Sequence, residues 1–337
     1  MTSNPRVAVV VPTHPRPELT PEERISLRHL MHYLGRYDKH QVAPRSSTLR
    51  LPGFTPMLVD DRYFGSADAN KALLLSRSFY EAFEDYDYIL IHHLDALVFS
   101  DELEAWCRRG YDYIGAPWLN SRDDPTQGFS RVGNGGLSLR RIEAFLRVFD
   151  SRRHKVDPEE HWRRHYATKP WAVRAINLPR RYLKRLVRFN GVRRHMAAFR
   201  HNEDHFWADW AARYDPEFRV APPEVAVGFA FECAPRYCYE RNGRRLPFGC
   251  HAWTRYDRAF WEPFLLGEGE TDPRAVGAGQ GSEAASSERS QSSGRSGAAG
   301  SAASGAAHAE GSGAAGSERT GAEPMARTAA HSIGGGG

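Results

Sequence analysis

The chain is short of several features that would class it quickly. No apolar run in its 337 residues is long enough to span a bilayer, so any work at a membrane is done from the surface. Its four cysteines, Cys107, Cys233, Cys238 and Cys250, form no C-x-x-C pair, and no disulfide pairing can be deduced from them. With no basic, apolar and small-residue leader at the N-terminus, the cytoplasm is the expected compartment, extending to the inner face of the membrane, and the cysteines are expected as thiols. Neither G-x-x-x-x-G-K nor G-x-G-x-x-G occurs, which removes a P-loop and a dinucleotide fingerprint. From Gly267 onward there is no Phe, Tyr, Trp or Leu, and Val276 and Ile333 are single. That composition cannot repay its ordering entropy by burial, so residues 267–337 are predicted to be a disordered tail. Glycine there has no fixed period, which excludes collagen.

Charge is unevenly spread. The net charge is +5, and the tail from Glu268 carries eight acids against five arginines, leaving +8 on the residues before it. Between Ser151 and Arg200, fifteen Lys and Arg face three acids. Such a segment suits phosphates, whether of a nucleotide, a polyphosphate, an anionic lipid surface or nucleic acid, or it is a solvated face. Nucleic acid is disfavoured, because no zinc-finger spacing or RNP-like aromatic motif accompanies the charge.

Strand and helix signals alternate through residues 1–266. Arg6–Pro12 is a continuous apolar run of the kind that forms a strand buried on both faces and stops at proline. Pro21 opens a helix through Tyr33, Thr55–Asp60 reads as a short strand, and Ser66 caps a helix predicted over 67–83. Tyr86–Asp95 is a second core strand, Tyr113–Trp118 a third, and Val225–Phe231 returns to strand character. The alternation predicts an α/β fold with a mostly parallel central sheet.

Two acidic positions stand out. Asp95 ends an apolar strand, and in α/β proteins ligands gather outside the carboxyl ends of strands. Asn202-Glu203-Asp204 opens a helix, where Asn can cap and acids favour the positive end. Phe206, Trp207 and Trp210 surround those acids with apolar surface, and burial would raise a carboxylate toward the general-base range. Capping alone would also explain them. Asn134-Gly135-Gly136 lacks two adjacent Cβ atoms and allows close approach of a sugar, or is an ordinary turn.

Five blocks, in order, resemble a known family. They are Tyr86–Phe99, Gly110–Trp118, Val132–Arg140, Asn202–Trp207 and Pro247–Trp253, within residues 6–262. The family is DUF5672, glycosyltransferase-like proteins of uncharacterised chemistry, and the block order resembles the GT-A class of nucleotide-sugar transferases. That resemblance implies a GT-A-like domain over 1–266, with a nucleotide-binding half at about 6–120 and an acceptor half at about 121–266. It implies an enzyme of the hexosyltransferase kind, serving polysaccharide assembly. Asp95 would match the last Asp of the Asp-x-Asp motif, while His93 replaces the first.

Breaking a glycosidic bond to a nucleoside diphosphate puts negative charge on the leaving group, which a divalent cation or basic side chains must stabilise. His93, Asp95 and His251 are the candidate ligands for Mn²⁺ or Mg²⁺; the alternative reading of His251, among aromatics, is a packed and hydrogen-bonded core histidine. Asp204, with Glu203 in reserve, is the candidate base for an inverting transfer. Thr13, His14 and Arg16 follow the first strand, where a GT-A protein receives its nucleoside; Arg62, Ser66 and Lys71 are further donor contacts, and Trp118 a sugar-stacking surface or a core residue. The expected partners are a nucleotide-sugar donor, a glycan or lipid-linked acceptor and an anionic membrane surface, with no nucleic acid. The competing readings are a glycan hydrolase, if Asp95 and Asp204 face each other about 5 to 9 Å apart, and a non-catalytic carbohydrate- or nucleotide-binding protein on a transferase scaffold.

Overall fold

The computed structural model describes residues 4–267, which belong to one compact unit. The predicted disordered tail lies, apart from Gly267, outside the described residues. Eleven strands are found among the described residues: β1 (Val7–Pro12), β2 (Asp38–Pro44), β3 (Thr55–Val59), β4 (Tyr88–His92), β5 (Leu97–Val98), β6 (Tyr113–Ile114), β7 (Pro117–Leu119), β8 (Phe129–Val132), β9 (Leu137–Arg141), β10 (Ala230–Phe231) and β11 (Gly249–Cys250). They form a six-stranded sheet in the order β3-β2-β1-β4-β9-β6, a three-stranded sheet β10-β11-β5 and a ribbon β7-β8.

The continuous apolar run of β1 is explained by burial on both faces. Val7, Val9 and Val11 pack with Leu30 and Leu34 of the helix Pro21–Leu34 and with Leu90. Ala8 and Val10 point the other way, toward Ile89, Ile91, Phe79 and Phe145. The helix Pro21–Leu34 starts where the sequence places it, with Pro21 in its first turn and a reciprocal capping box between Thr20 and Glu23.

The central sheet is mixed. β3, β2, β1 and β4 are parallel neighbours, whereas β9 runs against both β4 and β6. The chain leaves β1 on one side for β2 and β3, then returns to its other side as β4. This reversal of direction opens a crevice at the carboxyl ends of β1 and β4, the place where open α/β sheets take ligands.

Several local expectations are corrected. The helix predicted over 67–83 is two, Ala67–Leu74 and Arg77–Glu81, broken where the Ser76 hydroxyl and N–H both turn back to the Leu73 carbonyl. Residues 113–118 divide between β6 of the central sheet and β7 of the ribbon. Pro223 starts a helix, Pro223–Phe229, where a strand was expected, because Ala226, Val227 and Phe229 bury one helical face and only Ala230–Phe231 is extended. β2, polar at its start, carries no clear strand signal and is recruited by pairing with β1 and β3.

Packing on both faces makes the centre of the sheet costly to perturb. Ile91→Ala should destabilise by about 2–5 kcal/mol, whereas Leu58→Ala on edge strand β3, where Leu58 is 42% exposed, should stay within about 0.5 kcal/mol. Urea unfolding of the two variants measures both; equal losses would contradict this assignment of core and edge.

Candidate functional site

The crevice between β1 and β4 is a cleft of about 490 Å³ lined by Thr13, His14, Arg16, Ser66, His93 and Asp95, among others. Thr13 continues β1, with its N–H donated to the Val42 carbonyl and its hydroxyl accepting from Gln41. Arg16 is held by an ion pair to Glu23, itself fixed by the capping box. Ser66 caps the helix Ala67–Leu74, accepting from the Ala69 N–H. Arg62 and Lys71 lie outside this lining. Arg62 folds over the ring of its neighbour Tyr63, and Lys71 pairs with Asp68 beside a separate groove.

The small sheet brings the rest of the site together. β11 pairs antiparallel with β5 (Cys250 opposite Leu97) and parallel with β10 (Cys250 opposite Phe231). Asp95 shortly precedes β5, His251 follows β11 and Glu232 follows β10, so the three meet at one end. His251 Nε2 lies 3.3 Å from Asp95 Oδ1, and its Nδ1 lies 3.1 Å from Glu232 Oε1. Burial works against the imidazolium, but hydrogen bonds and charge from the two flanking carboxylates outweigh it and push His251 up to about 10. Partial burial would raise Asp95, yet its bond to His251 and the imidazolium charge hold it well below the usual carboxylate range.

His93 joins this pair from the end of β4. Its Nε2 is buried without a hydrogen-bond partner among the described residues, and burial pulls its pKa down to about 4, so it is a neutral ring at physiological pH. One ligand atom each from His93, Asp95 and His251 lies within 4.8 Å of the others. A neutral imidazole with an orphaned nitrogen, a carboxylate and a second imidazole, whose Nε2 must give up its proton on binding, make a donor set that fits a divalent cation. Glu232 then fixes the ring of His251 from behind, as a carboxylate behind a ligating histidine does. Sequence reasoning missed Glu232. Its only signal was an acid directly after the buried Phe231.

A second cleft, of about 600 Å³, is lined by Trp118, Asn120, Arg122, Asp204, His205 and Glu232, among others. Trp118 stands in this cleft and not in the first, with its ring 4.2 Å from that of His205. Asp204 is buried; its Oδ2 accepts the Asn134 N–H at 3.0 Å and its Oδ1 the His205 N–H at 2.9 Å. Glu203 is turned away into a buried ion pair with Arg140 at 3.1 Å, and Arg140 is in turn bound by Tyr80 and Ser138. Burial pushes the Glu203 carboxyl up against the pull of Arg140.

The Asn134–Gly136 loop stands between these groups. Asn134 has φ +87°, and its side-chain oxygen accepts from the N–H groups of Gly136 and Leu137, a local turn that stabilises this left-handed residue. A Cβ on Gly135 would fall 2.2 Å from Glu203 Oε1, and one on Gly136 would fall 2.0 Å from His251 Nε2. Neither position admits a side chain without moving an acid or the histidine. The Asn134 amide Nδ2 is buried and unpartnered among the described residues.

A family described as "Protein of unknown function (DUF5672)" matches residues 54–251, more than half of the chain. No curated protein matches the sequence. Among solved structures, a glycosyltransferase involved in glycosylating the major capsid of PBCV-1 is 11% identical, over 77% of this chain and 98% of its own, with a TM-score of 0.39. Mouse xyloside xylosyltransferase 1 is 12% identical over 74% of this chain and 98% of its own, at 0.37. The galactosyltransferase LgtC with donor and acceptor sugar analogues is 12% identical over 76% and 93%, at 0.36. These values are low and assign no activity here.

Two measurements probe the geometry. A histidine raised from 6.5 to about 10 contributes stability fully below about 6.5, and loses it as pH rises through about 10. In chelator, His251→Gln should therefore lower the melting temperature most at the acid end of that window, with the gap to wild type closing toward its alkaline end; a gap that widens with pH would contradict the reading. Gly136→Ala should displace His251 and reproduce that loss of pH dependence while the far-UV circular dichroism stays native.

Proposed function

The chain belongs to the DUF5672 family, and on the geometry of its two clefts we propose that it is a GT-A-like glycosyltransferase carrying a sugar from a nucleotide-sugar donor to a glycan or lipid-linked acceptor. One observation carries the reading. A cleft at the strand-order reversal, with His93 and Asp95 in its lining, is joined through the chain Asp95–His251–Glu232 to a second polar cleft holding Trp118 and Asp204. Two substrates with separate seats and a shared reacting centre need such an arrangement.

In this reading Thr13, His14 and Arg16 receive the nucleoside diphosphate, with Ser66 at the N-terminal end of a helix that favours phosphate. His93, Asp95 and His251 would hold a divalent cation, which when bound supplies Lewis-acid charge at the leaving diphosphate. Two imidazoles with one carboxylate favour Mn²⁺ over Mg²⁺. Glu232 keeps the His251 ring oriented. Trp118 offers its face to the acceptor sugar, and Asp204 takes the proton of the acceptor hydroxyl as that oxygen attacks the anomeric carbon from the side opposite the leaving group. This is an inverting displacement. Glu203 stays with Arg140 and takes no part in proton transfer.

The test is a donor screen that reads nucleoside diphosphate release and sugar transfer with Mn²⁺ or Mg²⁺. Turnover should appear with one donor and be higher in Mn²⁺, and Asp95→Asn should weaken cation-dependent donor binding in a folded protein. Asp204→Asn should lower turnover by about 10²–10⁴-fold with donor affinity near wild type. Glu203→Gln leaves Arg140 buried and uncompensated, and should instead cost about 3 kcal/mol of stability. Normal transfer by Asp204→Asn would remove the base from the scheme, and donor binding without any turnover would leave a binding protein.

A further inference from the structure

The helix Trp171–Arg185 packs in the reverse of the usual sense. The residues it turns toward the protein are polar: Asn177 is 9% exposed, and Arg181 and Lys184 are half-buried, four and seven positions further on, in one stripe. Arg181 pairs with Glu159 of the neighbouring helix Pro158–Tyr166 and lies over the Trp162 ring, and Arg185 pairs with the same Glu159. The arc opposite is apolar and faces solvent. Trp171, Leu178 and Tyr182 form one row and Ile176 and Leu183 the next, with Trp171 80% and Ile176 78% exposed. Leu186 and Phe189 prolong the exposed face past the end of the helix. Single exposed apolar side chains are ordinary, but a contiguous row of them marks an interaction surface.

Charge selects the occupant. Residues 161–202 contain twelve Lys and Arg and no Asp or Glu. A second copy seated on this face would bring two cationic surfaces together. Residues 268–337 hold neither leucine nor an aromatic residue with which to cover it. An anionic bilayer satisfies both halves of the pattern: Trp and Tyr beside aliphatic side chains enter the headgroup boundary, while flanking Lys169, Arg174, Arg180 and Arg188 meet lipid phosphates. No described helix is long and apolar enough to cross a membrane. We infer that the helix Trp171–Arg185, with the turn through Phe189, lies flat in the interface of an anionic membrane and docks the protein there. The inference does not depend on the chemistry assigned to the clefts.

The experiment is co-sedimentation of the full chain with vesicles of phosphatidylcholine alone and of phosphatidylcholine mixed with phosphatidylglycerol, at low and high salt. Binding is expected only with phosphatidylglycerol, and should weaken in high salt. The double variant Trp171→Ser, Ile176→Ser, with an unchanged melting temperature, should lose on the order of a hundredfold in vesicle affinity. Asp204→Asn should bind vesicles as wild type does, whatever becomes of its turnover, so failure of the transferase reading and failure of this one are separable. No binding to anionic vesicles overturns the inference. So do equal binding to both vesicle types, full salt-sensitive binding by the double variant, and a wild-type dimer that the double variant splits into monomers.

Discussion

The hydrogen-bonded chain Glu232–His251–Asp95 is the interaction on which the site depends, and it exists because two very short strands pair with a third. β10 and β11 have two residues each, too few to be stable alone. β11 is held by pairing with β10 on one side and β5 on the other, and the small sheet by a core that includes Phe231, Trp253 and Trp261. That sheet fixes the histidine between two carboxylates, each with a different duty. Glu232 faces the second cleft and orients the ring, while Asp95 stands at the mouth of the first.

The Asn134–Gly136 loop touches groups of both clefts. Its backbone is held by Asp204 at one end, and it presses on Glu203 and His251 through two positions where any side chain would collide. The Gly136 carbonyl also accepts the N–H of His93 at 2.7 Å. Arg140 stabilises this junction from beneath, fully buried, neutralising Glu203 and leaving Asp204 to line the cleft. Neighbouring acids with one start of a helix in common thus differ in use: one is committed to an ion pair, and the other, among the described residues, accepts backbone N–H bonds.

The apolar runs of β1 and β4 were legible because a strand buried on both faces must be apolar at every position. β2 was not legible, since its buried Gln41 serves Thr13 and Leu51 through hydrogen bonds that no hydrophobic period records. The helix break at Leu75-Ser76 and the helix Pro223–Phe229 were misread for a related reason. Short apolar stretches fit both periods, and packing partners choose between them.

At the level of residues, sequence by itself determined the α/β class, the acid at the end of β4, the loop without Cβ atoms and the strongly basic segment, because each is a local pattern of residue types. The tertiary structure alone decided which of these meet. Arg62 and Lys71 carry the right charge for a phosphate but point elsewhere, as a surface side chain's direction depends on the element that bears it. Glu232 had no periodic signal, yet strand pairing sets it against a histidine nineteen positions away. From spacing alone, Leu183, Leu186, Val187 and Phe189 read as one packing stripe, yet all four are exposed. Only the ion pairs of Arg181 and Arg185 with Glu159 show that the helix Trp171–Arg185 is anchored by its arginines and that its apolar arc faces out. Periodicity tells which residues share a face, and long-range contacts decide what that face meets.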